Sequence, residues 1–153
     1  MSERYGEIEV IPPALDWAPT QPSMFFKSGI PNASEVASQL IWAAKLLGSS
    51  DAKLHILNEW FVVTSATDWV SAAAKGPAEH ELFVYMRSFP EAGQNEIRPE
   101  FVAAAFSKAV VVLGPAGIRV VRGHVEDNDP ILEHLSRAPE WKRAVAFRGV
   151  GDA

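Results

Sequence analysis

The chain contains no cysteine, which excludes disulfides, thiolate nucleophiles, cysteine-ligated zinc and iron–sulfur clusters. It has no apolar run near the roughly 20 residues that a membrane-spanning helix needs. It also has no excess of basic charge: the formal net charge is −5. The imbalance is uneven. Residues 1–97 carry 6 basic and 12 acidic side chains, and residues 98–153 carry 8 and 7. A duplex-binding protein concentrates positive charge on one face, so nucleic acid is not the expected partner. The opening Ser2-Glu3-Arg4-Tyr5-Gly6-Glu7 is polar and does not resemble a secretory leader. The resulting expectation is a cytoplasmic protein with no membrane contact.

Catalytic signatures are equally scarce. There is no G-x-S-x-G elbow and no S-x-x-K pair around the serines at 65, 71, 88 and 107. Gly114-Pro115-Ala116-Gly117 lacks both the Walker lysine and the spacing of a dinucleotide loop, and reads as a turn. No HExxH or comparable metal spacing occurs. No cofactor is expected on these grounds.

What the chain does have is a first fifth rich in proline and aromatics. Five of its 11 prolines (12, 13, 19, 22 and 31) fall in the first 31 residues, among Ile11, Leu15, Trp17, Met24, Phe25 and Phe26. Proline fixes φ and cannot donate to a ladder, which predicts an extended, irregular arm. Disordered tails are poor in aromatics, so this arm, residues 1–31, is expected to pack on its own domain or on a neighbouring protomer.

Residues 32–153 read as one α+β domain. Asn32 with Glu35 resembles a capping box, Val36, Ala37, Leu40, Ile41, Ala44 and Leu47 form one stripe, and Gly48 suits a left-handed C-terminal position. A helix over about 33–47 follows. Lys53–Ser65 predicts two strands turning at Asn58-Glu59. Ser65 and Asp68 predict a helix start, with a short helix over Thr67–Lys75 ending at Gly76-Pro77. Leu82–Arg87 reads as a strand. Pro99 opens a helix carried to about residue 112 because no breaker precedes Gly114-Pro115. Gly117 leads into a strand over Ile118–Arg122, Asp129-Pro130 caps a helix to about Arg137, and Val145–Arg148 reads as a last strand. The expected architecture is an antiparallel or mixed sheet of about four to five strands, packed on one face by three to four helices.

The densest polar cluster is His124-Val125-Glu126-Asp127-Asn128-Asp129, followed by Glu133-His134. Imidazole and carboxylate are the donors that a cysteine-free zinc or iron site uses. His124, Glu126, Asp129 and His134 are therefore the candidate metal or ligand residues. Against this, Asp129 also suits a helix cap, and adjacent Glu133 and His134 diverge by about 100° on a helix. His55 with Glu59, and His80 with Glu81, are weaker acid–base pairs. The five tryptophans (17, 42, 60, 69 and 141) suit a core or an interface, with Trp17, Phe25, Phe26 and Trp60 as the candidate anchors. Arg98, Arg119, Arg122, Arg143 and Arg148 are expected to pair with the acidic first half.

Two functional expectations follow. The first is a small, non-enzymatic protein-interaction or regulatory domain that self-associates, as a homodimer or other homo-oligomer. The second is a metal-dependent hydrolase or small-molecule-binding domain with its site around His124, Glu126 and Asp129. A chaperone-like or immunity-type role, covering one specific partner, is a third and rests on fold-level analogy.

Overall fold

Strands alternate their side chains between two faces, and that alternation decides how the sheet is covered. In the computed structural model, which describes residues 13–73, 79–137 and 140–151, five strands form one sheet: β1 (Lys53–Leu57), β2 (Trp60–Ser65), β3 (Ala109–Gly114), β4 (Gly117–Arg122) and β5 (Arg143–Arg148). Their order is β1-β2-β5-β3-β4 and every neighbouring pair is antiparallel. The described helices are α1 (Pro13–Trp17), α2 (Pro22–Phe25), α3 (Ala33–Leu46), α4 (Trp69–Ala73), α5 (Glu81–Val84), α6 (Pro99–Phe106) and α7 (Pro130–Ser136), with 3-10 turns at Ala18–Thr20 and Pro90–Ala92. This is the expected α+β fold, with a wholly antiparallel sheet. None of the described helices is long and apolar enough to cross a membrane.

Val63, Val110, Val112, Val145 and Phe147 point from the sheet into the larger core, with α3, α6, Trp69 and Phe83. The intervening residues Trp60, Val62, Ala109, Val111, Ala144 and Ala146 face the other way and meet Ile131 and Leu135 of α7. Helices thus cover both faces, where one face was expected. Alanines at 109, 144 and 146 stand on this face in the same cluster as Ile131 and Leu135, and α7 packs beside β4.

The best-marked helix, α3, forms as its pattern predicts. Asn32 Oδ1 accepts the Glu35 amide at 3.0 Å, and Gly48 takes φ +101° beyond the C-terminus. The reciprocal half of the capping box is absent. The Glu35 carboxylate accepts the Lys27 amide at 2.8 Å instead, while Gln39 donates to the Phe25 carbonyl at 3.2 Å. Both bonds fasten the preceding segment to α3. That segment is not extended within 13–25: its prolines stand at helix N-termini, in α1 and α2 and in the 3-10 turn, where a missing N–H costs nothing. Leu15, Ala18 and Phe26 are buried in the larger core, with Phe26 edge-on to Phe106 at 4.9 Å. Residues 1–12, including Ile11 and Pro12, lie outside the described residues.

Three further expectations are corrected. Leu82–Arg87 is not a strand: Glu81–Val84 makes one turn of helix that buries Leu82 and Phe83. An apolar run that short does not distinguish helix from strand by periodicity. The helix from Pro99 stops at Phe106, six residues early, and Ala109–Gly114 is β3. Ser107 turns to extended backbone while its N–H still reaches the Ala103 carbonyl, and the Lys108 amide then bonds to the Arg148 and Gly149 carbonyls. The β-branched run Val110-Val111-Val112 prefers the sheet, and no glycine or proline is needed for the change. Asp68, not Ser65, caps α4, accepting the Ser71 amide at 3.0 Å. The stop expected at Gly76-Pro77 and the break at Pro139 lie outside the described residues.

Candidate functional site

The expected metal cluster is taken apart by the fold. His124 Nε2 and Glu126 Oε2 do meet, at 2.8 Å, but their side chains are 80% and 72% exposed. Asp129 has other work at the N-terminus of α7. Its Oδ1 accepts the Ile131 amide at 3.0 Å and the Trp60 indole N–H at 3.1 Å, and its Oδ2 accepts Arg148 at 3.2 Å. Arg148 also pairs with Glu59 at 2.8 Å and lies 4.7 Å above the Trp60 ring. The carboxylate is thus committed to a cap and an ion pair. His134 faces a different neighbourhood, against Trp141 and His55. Among the described residues no three histidine, aspartate or glutamate side chains gather as metal ligands.

The interface candidates divide as well. Phe26 and Trp60 are buried at 2% and 1% exposure, and Phe25 packs between Phe101 and Phe106 at 6.2 and 5.5 Å. Trp17 alone of the four is exposed, at 41%, edge-on to Phe25 at 6.4 Å. Three of the four are therefore engaged in the protein's own core.

The expected pairing of Arg143 and Arg119 with the acidic first half occurs as a buried cluster around Arg143, at the start of the central strand β5, whose burial and partners the sequence did not indicate. The Arg143 side chain is fully buried. Nε and Nη2 donate to Asp68 at 2.7 and 3.0 Å, Nη2 also reaches Ser71 Oγ at 3.1 Å, and Nη1 pairs with Glu79. Glu79 in turn accepts Arg119 of β4 at 2.7 Å. Burial works against the Asp68 charge, but the Arg143 guanidinium and the Ser71 amide and hydroxyl outweigh it and hold the carboxyl below its usual range. Gly114 is required beside the cluster, since a Cβ there would lie 2.6 Å from Arg143 Nη1 and 2.8 Å from Glu79 Oε2. A cleft of about 280 Å³ opens next to it, lined by Asp68, Leu113, Gly114, Pro115, Trp141 and Lys142. Arg143 makes four hydrogen bonds inside the protein, so its chemistry is that of a clamp joining β5 to α4 and β4. A second buried pair, Arg98 with Glu100 at 2.7 Å, takes the Trp69 indole N–H at 3.2 Å and likewise ties elements together.

The remaining concentration of unusual features is the edge strand β1. Only Asn58 and Glu59 separate it from β2, so Leu57 and Trp60 form the hydrogen-bonded pair that closes the hairpin. Asn58 supplies the positive φ, +55°, that this tight turn needs. Counting back by twos, His55 with Val62 and Lys53 with Thr64 are also hydrogen-bonded pairs. The backbone N–H and C=O groups of Leu54 and Ile56 consequently point away from the sheet. Their side chains lie on the α3 side with their partners Val63 and Phe61, yet they are 37% and 62% exposed. On the opposite face His55 Nε2 sits 3.0 Å from Thr64 Oγ1 and its ring stands 5.1 Å from Trp141 and 6.5 Å from His134. Burial first, then the positive field of Lys53 and His134, pushes the His55 imidazole below its ordinary value. Among the described residues nothing pairs with the outer backbone groups of Leu54 and Ile56, so this strand offers two backbone residues and two apolar side chains in one short segment. Compared with protein-family models, with curated proteins and with solved structures, the chain gives no match in any of the three.

Proposed function

We propose that this chain is a small protein-interaction domain that recognises its partner by adding a strand to the β1 edge. The observation that carries the reading is the outward-facing backbone of Leu54 and Ile56 combined with their exposed side chains. Strand addition draws affinity from main-chain hydrogen bonds and specificity from alternate side chains, and β1 presents both. Soluble proteins normally protect such an edge with charge, proline, a bulge or a cover. β1 has one charged residue, Lys53, at its far end. The buried ion pairs around Arg143 and Arg98 serve this reading as the rigid frame that holds the edge in place.

The test is a photoreactive amino acid placed at position 56 in the producing cell, with position 120 on the other edge as control. Protein adducts at 56 and none at 120 are expected. An absence of adducts at 56 overturns the reading.

A further inference from the structure

The β1 edge is nearly a match for itself. Reading Lys53-Leu54-His55-Ile56-Leu57 against an antiparallel second copy, with the two-fold axis at His55, sets Leu54 opposite Ile56 of the copy and Ile56 opposite its Leu54. Those are the two residues whose backbone groups point outward, so the register that matches the side chains also matches the hydrogen bonds: each Leu54–Ile56 pair is a hydrogen-bonded pair, and His55 meets His55 as the non-hydrogen-bonded pair between them.

Resting on the interaction reading above, we infer that the partner is a second copy of this chain, joined β1 to β1 in that register to make one ten-stranded antiparallel sheet. Four exposed apolar side chains, two from each copy, then form a single cluster on the α3 face. Charge placement agrees. Lys53 is the charged residue of β1, and the pairing puts the two copies of it four residues apart along the strands, about 13 Å, beyond the screening length at physiological salt. Shifting the axis to Leu54 sets Ala52 opposite Ile56, and shifting it to Ile56 sets Leu54 opposite the turn residue Asn58. Each shift loses one of the two apolar pairs. A five-residue strand pair is a small interface, so the association is weak and concentration-dependent.

Because the chain has no cysteine, one introduced thiol reports the register without interference. In a non-hydrogen-bonded antiparallel pair the Cα atoms are about 4.5 Å apart, within disulfide reach. His55→Cys should therefore cross-link to a covalent dimer under mild oxidation of the full chain. Leu54→Cys or Ile56→Cys alone places its two thiols on Cα atoms about 8 Å apart and should cross-link about tenfold more slowly or worse. Mixing the Leu54→Cys and Ile56→Cys proteins should restore fast cross-linking between unlike chains, which keeps the test valid if His55→Cys folds poorly. Equal rates for all the single variants, or cross-linking of none of them and of no mixture, overturns the inference. Where that happens and photo-adducts at 56 carry some other protein, the strand-addition reading stands and the identity of the partner was wrong. Where no adducts form either, both fall together.

Discussion

The two edges of the sheet have similar exposure and opposite protection. β4 carries Val120 at 45% exposure, comparable to Leu54 of β1. Yet β4 is interrupted by a bulge, since its register with β3 shifts between Val110 and Val111. It also bears Arg119 and Arg122, and Arg119 is held to Glu79, which belongs to the buried Arg143 cluster. A bulge bends and twists an edge away from straight pairing, and inserted charge makes pairing costly. β1 is regular over all five of its residue pairs and places its one charge at an end. Exposure alone therefore does not distinguish the two edges; regularity and the position of charge do.

The largest way to break this comparison is to remove the clamp behind β4. Arg143→Ala leaves Asp68 and Glu79 without their shared cation in a buried site and should cost about 3–5 kcal/mol, read as the free energy of unfolding in urea. A loss under 1 kcal/mol would show that the cluster is better hydrated than its burial implies. A matched pair of surface changes sharpens the contrast at lower cost. Ile56→Lys should abolish concentration-dependent mass in sedimentation equilibrium, while Val120→Lys should leave it unchanged, and both should alter stability by no more than about 0.5 kcal/mol. Equal effects of the two on mass would erase the distinction between the edges.

The smallest effect is one of pH, and it belongs to β1. The groups facing His55 are Lys53 from its own strand and His134 from α7, both of which oppose a proton on it. Well above the unfolded value of about 6.5 the imidazole is neutral in folded and unfolded chains alike and contributes no pH dependence. As pH falls below that value the unfolded chain binds the proton first, so stability declines until the lower folded value is passed and then levels off. His55→Gln should flatten this segment of a stability profile measured between pH 7.5 and 5. An unchanged slope would assign the titration to another group.

How much of this was readable in the chain depends on distance along it. Helix α3, the β1–β2 hairpin and the Asp129-Pro130 start of α7 are each specified within a dozen residues, by caps, turn residues and periodicity. The boundary between α6 and β3 was not, because every residue of α6 is buried. A helix apolar on all sides has no polar stripe to mark where its period ends. The Arg143 cluster draws on residues 68, 71, 79, 114, 119 and 143, and nothing local announces it. Likewise Leu54 and Ile56 read as ordinary strand residues until the strand order makes β1 an edge. The polar run around His124 showed the reverse: its density suggested chemistry, and one of its carboxylates is a helix cap.

The strand order has a consequence for biosynthesis. β5 is the last of the five strands to be translated and the one that sits in the middle. Until residues 143–148 have left the ribosome, the β1–β2 and β3–β4 hairpins are two separate ribbons, each marginal in water on its own. β2 and β3 then present the very edges that β5 will fill, for as long as synthesis of the 20 residues between β4 and β5 (123–142) and exit from the tunnel take. The nascent chain therefore passes through an interval in which the two ribbons have four edges, and the finished sheet, among the described residues, keeps two.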